Sequence, residues 1–310
     1  MATDLPLVVT VPTPELAAAL PPMPDGVEVL VWDMRSPAPR PALGIVVPPY
    51  MKQATSLQLL RDVPTALVQG QSIGYDTVAA TMPPGNVFAN ASSVHEASTA
   101  ELAVALTLAA QRGIPGFVLA QQDGGHWSPI FAQSLADRRV LLVGFGGVGK
   151  AIAARLVPFE VELTAVATSA RVEEGVNVRP VAELQSLLPD AEIVIVSLPL
   201  SEATTGIVDD AFLSAMRPGA LLVNVGRGTL VDTDALIAHA STGRIRAALD
   251  VTDPEPLPDG HPLWSTPGVL IAPHVGGATS AMVPRMARLI HAQAERMVRG
   301  EAPLNVVLRT

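Results

Sequence analysis

Four ionisable side chains in the second half of the chain each stand at the end of a short apolar run or soon after it: Arg227, Asp250, Glu255 and His274. Imidazole titrates near neutrality, so His274 is the candidate proton donor. Glu255 would favour the imidazolium form of His274 by opposite charge and hydrogen bonding. The planar fork of Arg227 suits a carboxylate next to a carbonyl. These groups predict reversible reduction of a small 2-oxo acid, with Arg227, Glu255 and His274 catalytic and with Arg227 and His274 also contacting the substrate.

Each of these residues also has a simpler explanation when it is taken alone. A histidine after a strand is more often a satisfied core or loop residue, and Glu255 alone would be a solvated carboxylate. Arg227 stands between glycines and could merely close a turn. Their joint occurrence in this order favours the chemical interpretation. In that interpretation Asp250 orients the carboxamide of a nicotinamide ring.

A regular alternation of strands and helices beyond residue 139 predicts the sheet that would carry these side chains. The predicted strands are Val140–Val143, Val161–Val166, Ile193–Ser197, Ala220–Asn224, Ile245–Leu249 and Val269–Ala272, and the predicted helices are Val148–Leu156, Val181–Leu188, Asp209–Met216 and Thr233–His239. This alternation predicts a doubly wound parallel sheet of the Rossmann type. Ligands of such sheets bind at the carboxyl ends of the strands, so we expect the four side chains to converge on one crevice.

A glycine-rich segment, Gly144-Phe145-Gly146-Gly147-Val148-Gly149, lies between the first predicted strand of this series and its helix. The G-x-G-x-x-G pattern is weak by itself, but this context is what a dinucleotide pyrophosphate requires. Gly144 would allow the tight turn, Gly146 the approach of the pyrophosphate and Gly149 close helix–strand packing. The helix N-terminus would favour the anion. We expect all six residues to bind a nicotinamide dinucleotide; the alternative is a structural glycine turn.

The end of the second strand of this series bears on the choice between NAD(H) and NADP(H). An acidic residue there binds the ribose hydroxyls in NAD-preferring sites, but Val166–Arg171 contains no carboxylate. Thr168 and Ser169 could supply hydroxyl donors and Arg171 a counter-charge for a 2′-phosphate. Arg171 could instead be a solvated loop residue. We expect NADP(H) to be favoured over NAD(H).

The first part of the chain predicts a smaller, open α/β unit. Apolar runs between proline-rich segments indicate strands at Leu7–Val11, Val27–Val31, Gly44–Val47 and Ala66–Val68, with helices at Pro14–Leu20 and Ser56–Arg61. Ser98, with Glu101 three residues later, predicts the N-cap of a linking helix that ends at Arg112. The last helix, Ala281–Arg299, would return to the first unit. We expect a discontinuous, flavodoxin-like substrate domain of residues 1–96 and 284–310, and a Rossmann domain of residues 97–283.

Composition excludes several other classes of protein. The 310 residues carry a formal net charge of −9 and no basic run, which disfavours nucleic acid and anionic membranes as partners. There is no cysteine and the six histidines are scattered, so no metal site is expected. The first residues lack the charged start of a signal peptide, and the longest helical apolar stretch, Leu102–Ala110, is too short to span a bilayer. We expect a cytoplasmic protein.

The order and spacing of the catalytic segments resemble those of the D-2-hydroxyacid dehydrogenases. The resemblance rests on Gly226-Arg227-Gly228, Leu249-Asp250-Val251, Asp253-Pro254-Glu255-Pro256 and Pro273-His274-Val275-Gly276-Gly277, and it covers nearly the whole chain. It implies a cleft between two domains, hinge closure and a homodimer built through the cofactor domains. It places Ser72, Ile73 and Gly74 in the loop whose amides bind the substrate carboxylate. It also places Leu198, Pro199, Val225, Gly226, Asp250, His274 and Gly276 at the cofactor.

The substrate side chain is the least determined part of this prediction. Tyr50 and Met51 could line the pocket and favour a small or mildly apolar group, or they could be ordinary core packing. Gly277 stands where many relatives carry serine, which would enlarge the substrate side of the pocket. The resemblance favours a glyoxylate/hydroxypyruvate reductase-like activity, with phosphoglycerate or branched 2-oxo acids as alternatives. A non-enzymatic dinucleotide sensor, similar to the corepressors that share this fold, is the alternative from another class.

Overall fold

Two parallel sheets organise the chain. The structure, a computed structural model, describes residues 6–51 and 53–310. The first residues, on which the expectation that there is no signal peptide rests, lie outside this range. The chain divides into two compact units, one made of the residues up to His95 together with Gly277–Thr310, the other of Glu96–Gly276. The division after Gly276 falls earlier along the chain than the boundary at 283/284 expected from sequence.

The strands, in chain order, are β1 Leu7–Val11, β2 Val27–Val31, β3 Leu43–Val46, β4 Thr65–Gln69, β5 Val87–Ala89, β6 Arg139–Val143, β7 Glu162–Ala167, β8 Arg171–Glu173, β9 Val176–Pro180, β10 Ile193–Val196, β11 Ala220–Asn224, β12 Ile245–Leu249, β13 Val269–Ile271 and β14 Val306–Arg309. The helices are α1 Pro14–Ala19, α2 Gln53–Ser56, α3 Val78–Thr81, α4 Glu96–Arg112, α5 Ile114–Gln122, α6 Gly147–Leu156, α7 Leu184–Leu187, α8 Asp210–Ala215, α9 Thr233–Ser241 and α10 Met282–Val298.

The first unit is built on a six-stranded sheet in the order β14-β5-β4-β3-β1-β2. All pairs are parallel except β14 with β5. The chain passes from β1 to β2 on one side and then to β3 on the other, which makes the carboxyl ends of β1 and β3 a topological switch point. The return helix α10 packs Met286 and Ile290 into the core of this sheet.

The second unit is an eight-stranded sheet in the order β13-β12-β11-β10-β6-β7-β9-β8. Every pair is parallel except β8 with β9. Successive residues of β10 enter opposite cores: Ile193 and Ile195 pack on one face, Val194 and Val196 on the other. Burial on both faces explains why this strand is apolar throughout. The prediction of an α/β fold with a doubly wound sheet is confirmed.

Three local predictions were wrong. The predicted helix Ser56–Arg61 is a 3₁₀ helix, Leu57–Leu60, that follows the short helix α2. The long helix α4 begins at Glu96, so Ser98 lies buried inside its first turn and does not cap it. The predicted helix Val181–Leu188 is a four-residue helix, α7, between two 3₁₀ turns. Pro189 directly follows this segment and cannot donate to a continuing helix.

Within residues 6–51 and 53–310, no single helix is long and apolar enough to cross a bilayer. The bent pair α4 and α5, with 68° between its two parts, has the length and composition of a membrane span, which is weak evidence by itself.

Candidate active site

The loops that follow β6, β10, β11, β12 and β13 share one edge of the second sheet, because these strands are neighbours and parallel. Arg227 follows β11, Asp250 follows β12 and His274 follows β13. The glycine-rich segment follows β6. The topology therefore brings the predicted catalytic and cofactor residues of this unit to one edge, where ligands of such sheets bind.

His274 and Glu255 form a close pair. Nδ1 of His274 is hydrogen bonded to Oε1 of Glu255, and both side chains are about one-third exposed. His274 has a left-handed backbone, φ 53°, and its N–H donates to the carbonyls of Asp250 and Ala272. A left-handed backbone is unfavourable for a side chain with a Cβ, and such residues cluster at functional sites. With Nδ1 engaged by a carboxylate, Nε2 is the nitrogen left to meet a ligand.

Asp250 holds the main chain next to His274. Its buried carboxylate accepts the N–H of Val275 at 2.8 Å and that of Gly276 at 3.0 Å. Burial raises the pKa of Asp250, and the two amide hydrogen bonds oppose that rise. A Cβ on Gly276 would lie 2.7 Å from Oδ2 of Asp250, so the close approach requires glycine. Asp250 thus fixes the loop that carries the histidine.

Arg227 is placed by its two neighbouring glycines and by Asn224. Oδ1 of Asn224 accepts the N–H of Gly226 at 3.0 Å, and its Nδ2 donates to the carbonyl of Arg227 at 2.8 Å. A Cβ on Gly226 would meet the Leu198 carbonyl oxygen at 2.8 Å. The Gly-Arg-Gly turn is therefore packed tightly enough to hold the half-buried Arg227 in place.

The glycine-rich segment has one position that is open and two that are crowded. A Cβ on Gly149 would lie 2.1 Å from the Gly144 carbonyl oxygen, and Gly144 itself has φ 105° beside Ser197. A Cβ on Gly146, which precedes α6, would meet nothing within 4 Å. The crowded glycines are needed by the fold. The open one leaves room for a phosphate at the helix N-terminus, so the segment fits a dinucleotide.

The region after β7 contains a carboxylate, Glu173, that the prediction from Val166–Arg171 did not include. Arg171 Nε lies 2.8 Å from Oε2 of Glu173, and Lys150 Nζ lies 2.5 Å from its Oε1. The Lys150 ammonium and then the Arg171 guanidinium hold the pKa of Glu173 below its ordinary value. The guanidinium also lies over the ring of Phe145, 6.0 Å from its centroid. Two cations and one anion leave this cluster with a net positive charge.

The predicted substrate loop of the first unit is anchored by its carbonyls. Ala91 donates its N–H to the Ser72 carbonyl at 2.9 Å, and Nδ2 of Asn90 donates to the Ile73 carbonyl at 2.8 Å. Ser72, Ile73 and Gly74 are half-buried.

The first unit also contains a pocket of about 720 Å³ at the carboxyl ends of β1 to β4, lined in part by Tyr50, Gln71 and Met282. Met51, the other residue predicted to line a pocket, is 60% exposed.

The remaining predicted cofactor residues lie at the same edge of the second sheet. Thr168, Ser169 and Pro199 are exposed, whereas Val148 and Leu198 are half-buried and Val225 is buried. Sequence reasoning missed Asn224, although a buried amide ending an apolar strand is a usable signal. It also missed the pairing of Lys150 with Glu173, which only the fold reveals. In the described part of the chain, no group of three or more His, Asp or Glu side chains could hold a metal ion.

Comparisons with known proteins agree with this geometry. A family model described as "D-isomer specific 2-hydroxyacid dehydrogenase, NAD binding domain" matches residues 104–276. The glyoxylate reductase/hydroxypyruvate reductase of Mus musculus is 35% identical over 66% of this chain and 65% of its own length, just under two thirds. The glyoxylate reductase of Pyrococcus furiosus is 31% identical over 90% of this chain and 89% of its own length.

Among solved structures, a D-isomer specific 2-hydroxyacid dehydrogenase from Xanthobacter autotrophicus Py2 in complex with NADPH and MES is similar throughout. It superposes with a TM-score of 0.82 at 27% identity and covers 98% of each chain. The doubly wound sheet carries the histidine–carboxylate pair and the glycine-rich segment at one edge, an arrangement typical of nicotinamide-dependent oxidoreductases. The chain belongs to the D-isomer specific 2-hydroxyacid dehydrogenase family.

Proposed function

We propose that this enzyme reduces small 2-oxo acids, glyoxylate and hydroxypyruvate foremost, with NADPH in the cytoplasm. The observation that carries the chemistry is the bond between Nδ1 of His274 and Glu255, at the same sheet edge as Arg227 and the glycine-rich segment. The named activities of the mouse and Pyrococcus furiosus relatives support this choice of substrates. Residues 1–95 and 277–310 form the substrate-binding domain in this proposal, and residues 96–276 bind the dinucleotide.

Each side chain of the site has a defined role in this proposal. Arg227 holds the carboxylate of the 2-oxo acid and polarises its carbonyl through a two-donor fork. In the first unit, the amides of Ser72, Ile73 and Gly74 are available to bind a carboxylate. Bound NADPH supplies the hydride. Glu255 orients His274, whose Nε2 delivers the proton to the carbonyl oxygen, and in the reverse direction accepts it from the hydroxyl.

The preference for NADPH rests on the cluster at the end of β7. Lys150, Arg171 and Glu173 together carry one net positive charge, which complements a 2′-phosphate. Thr168 and Ser169 offer exposed hydroxyls beside it. The NADPH complex of the Xanthobacter autotrophicus relative supports the same cofactor.

The proposed homodimer is supported by a segment of the second unit. Large apolar side chains are concentrated on residues 114–131, where Trp127 and Phe131 are almost completely exposed and Leu119 is 60% exposed. Apolar surface of this extent is costly in water and marks an interaction site. A second copy of the chain would cover it.

The test is NADPH oxidation, followed by absorbance, with glyoxylate, hydroxypyruvate, pyruvate, a branched 2-oxo acid and phosphohydroxypyruvate in parallel. We expect turnover with the small acids, and a fall in kcat of about 10² to 10⁴ in His274→Ala with NADPH binding retained. His239→Ala, which removes a histidine of the same unit that pairs with Asp210, is the matched control. Near-normal turnover by His274→Ala, or cofactor binding without turnover of any acid, would overturn the proposal.

A further inference from the structure

His95 is a buried histidine for which the catalytic scheme has no task. It is only 4% exposed, and both of its ring nitrogens face main-chain carbonyls. Nε2 lies 2.6 Å from the Gln71 oxygen and Nδ1 lies 3.1 Å from the Gly277 oxygen. A neutral imidazole carries one N–H and can donate to only one of these oxygens, whereas the imidazolium donates to both.

We propose that His95 is a positioning residue of the substrate site, whose two ring nitrogens tie the substrate loop to Gly277, in the segment after His274. The proposal rests on the proposed function, because the loop is taken to bind a carboxylate. Gln71 directly precedes Ser72 in that loop, and Gly277 follows the catalytic histidine segment.

The same ring also positions one wall of the pocket in the first unit. Tyr50 stacks on His95, with ring centroids 5.9 Å apart and planes inclined by 23°. Gln71, besides accepting from His95, donates its Nε2 to the Pro48 carbonyl at 2.8 Å. Tyr50 and Gln71 both line the pocket. His95 therefore connects the loops after β3 and β4 and sets the distance between them.

Gly277 is explained by the space that His95 occupies. A Cβ on Gly277 would lie 2.8 Å from Nδ1 of His95 and 3.2 Å from the Tyr50 hydroxyl. Gly277 does not have the left-handed backbone that would by itself demand glycine. A serine side chain at this position would thus displace the ring. His95 and Gly277 form a matched pair, and the absent side chain does not simply enlarge the pocket.

The hydrogen bonding of His95 can be measured without substrate. ¹⁵N-resolved NMR of the imidazole groups in the ligand-free protein detects ring N–H protons, with His95→Gln identifying the signal. We expect a ring proton of His95 that exchanges slowly with solvent, because the ring is buried and faces main-chain oxygens. A His95 ring proton that exchanges as fast as those of exposed histidines would overturn the proposal. Because no turnover is required, this result is independent of whether the proposed activity is correct.

Kinetics separate a positioning role from a merely structural one. His95→Phe keeps a ring to stack on Tyr50 but loses both hydrogen bonds, so we expect KM for glyoxylate to rise about tenfold with little change in kcat. The Kd for NADPH should be unchanged. His95→Gln, which restores one donor, should recover part of the loss and serves as the second variant if His95→Phe does not fold. An unchanged KM in both variants would overturn the proposal.

A double-mutant cycle tests the matched pair. We expect Gly277→Ala to lower the unfolding temperature of the ligand-free protein and to raise KM, because its Cβ displaces the ring. In the His95→Ala background the same substitution should cost far less, since the ring is gone. Equal effects in the two backgrounds would show that His95 and Gly277 are not coupled. Thermal unfolding gives this answer even if no 2-oxo acid is turned over.

Discussion

Gly228 lies against the main chain of Thr252: a Cβ built on Gly228 would come within 1.8 Å of the Thr252 oxygen. This contact joins the turn that carries Arg227 to the loop that carries Glu255, from two neighbouring strands. Arg227, which we propose to bind the substrate, and Glu255, which pairs with His274, are thus positioned by one backbone contact. Neither side chain takes part in it.

Gly228→Ala tests this contact. The added methyl group must push apart two backbones, so we expect a loss of stability of about 1–3 kcal/mol and a larger relative loss of kcat/KM than of cofactor binding. Gly116→Ala, at an exposed helical glycine with nothing within 4 Å of its Cβ, is the control. Urea unfolding and steady-state kinetics measure the two effects. A fully active Gly228→Ala would show that the two loops are positioned independently.

Two glycine-to-alanine substitutions in the glycine-rich segment separate an effect on folding stability from an effect on cofactor binding. Gly149→Ala places a methyl group 2.1 Å from the Gly144 oxygen, so we expect a lower unfolding temperature. Gly146→Ala meets no protein atom within 4 Å and should leave the unfolding temperature nearly unchanged. We expect Gly146→Ala to lose most of its NADPH affinity, because the methyl group occupies the approach of the pyrophosphate. Fluorescence titration with NADPH measures this affinity. An affinity equal to that of the wild-type protein would mean that the phosphates do not bind at Gly146.

In the second unit, predictability from sequence followed burial. Strands β11 and β12 were predicted with the bounds that the structure has, because central strands of a parallel sheet are mostly apolar. In the first unit, β1 and the edge strand β2 were also predicted with their observed bounds, because turn-forming residues separate them from their neighbours. The three-residue strand β5 and the β8–β9 hairpin at the sheet edge were not predicted, since short or half-polar segments lack such a pattern. Arg227, Asp250 and His274 could be placed at the sheet edge from the sequence because each lies within three residues of the end of a strand.

The contacts of His95 could not have been predicted in the same way. Its partners are main-chain oxygens 24 residues before it and 182 residues after it. Every residue has a main-chain carbonyl, so the sequence does not indicate which carbonyls the ring contacts. Only the fold reveals the two oxygens that face it. The one available signal was indirect: Gly277 departs from the resemblance, and the structure supplies a ring that fills the space.

The preference for NADPH over NADH should depend on Glu173, which forms ion pairs with both Lys150 and Arg171. Glu173→Gln removes the anion that pairs with Arg171 and Lys150, so we expect the ratio of kcat/KM for NADPH over NADH to rise several-fold. Arg171→Ser should reverse the ratio. Glu162→Gln makes the same charge change at the opposite end of β7 and is the control. If Glu173→Gln leaves the ratio unchanged, the cluster does not face the 2′ position of the adenosine ribose.

The exposed apolar segment should control the oligomeric state. We expect Trp127→Asp and Phe131→Asp to convert a dimer into a monomer, because an interface with a buried, unpaired carboxylate is strongly destabilised. Val172→Asp, at an exposed apolar side chain of the edge hairpin, is the control for added charge. Sedimentation velocity distinguishes the species. A wild-type protein that sediments as a monomer at micromolar concentration would refute the homodimer.

Asp250 predicts a pH dependence of stability. Burial raises the pKa of its carboxyl group above the ordinary value, so the folded state binds this proton more tightly than the unfolded chain does. The resulting contribution to stability is complete below the unfolded pKa, near 3.8, and is lost as the pH rises through the folded pKa. We therefore expect the free energy of unfolding of the wild-type protein, relative to Asp250→Asn, to fall as the pH rises from about 4 towards about 7. Urea unfolding of both proteins across this range measures the difference. A difference that instead grew with pH would mean that the hydrogen bonds from Val275 and Gly276 outweigh burial.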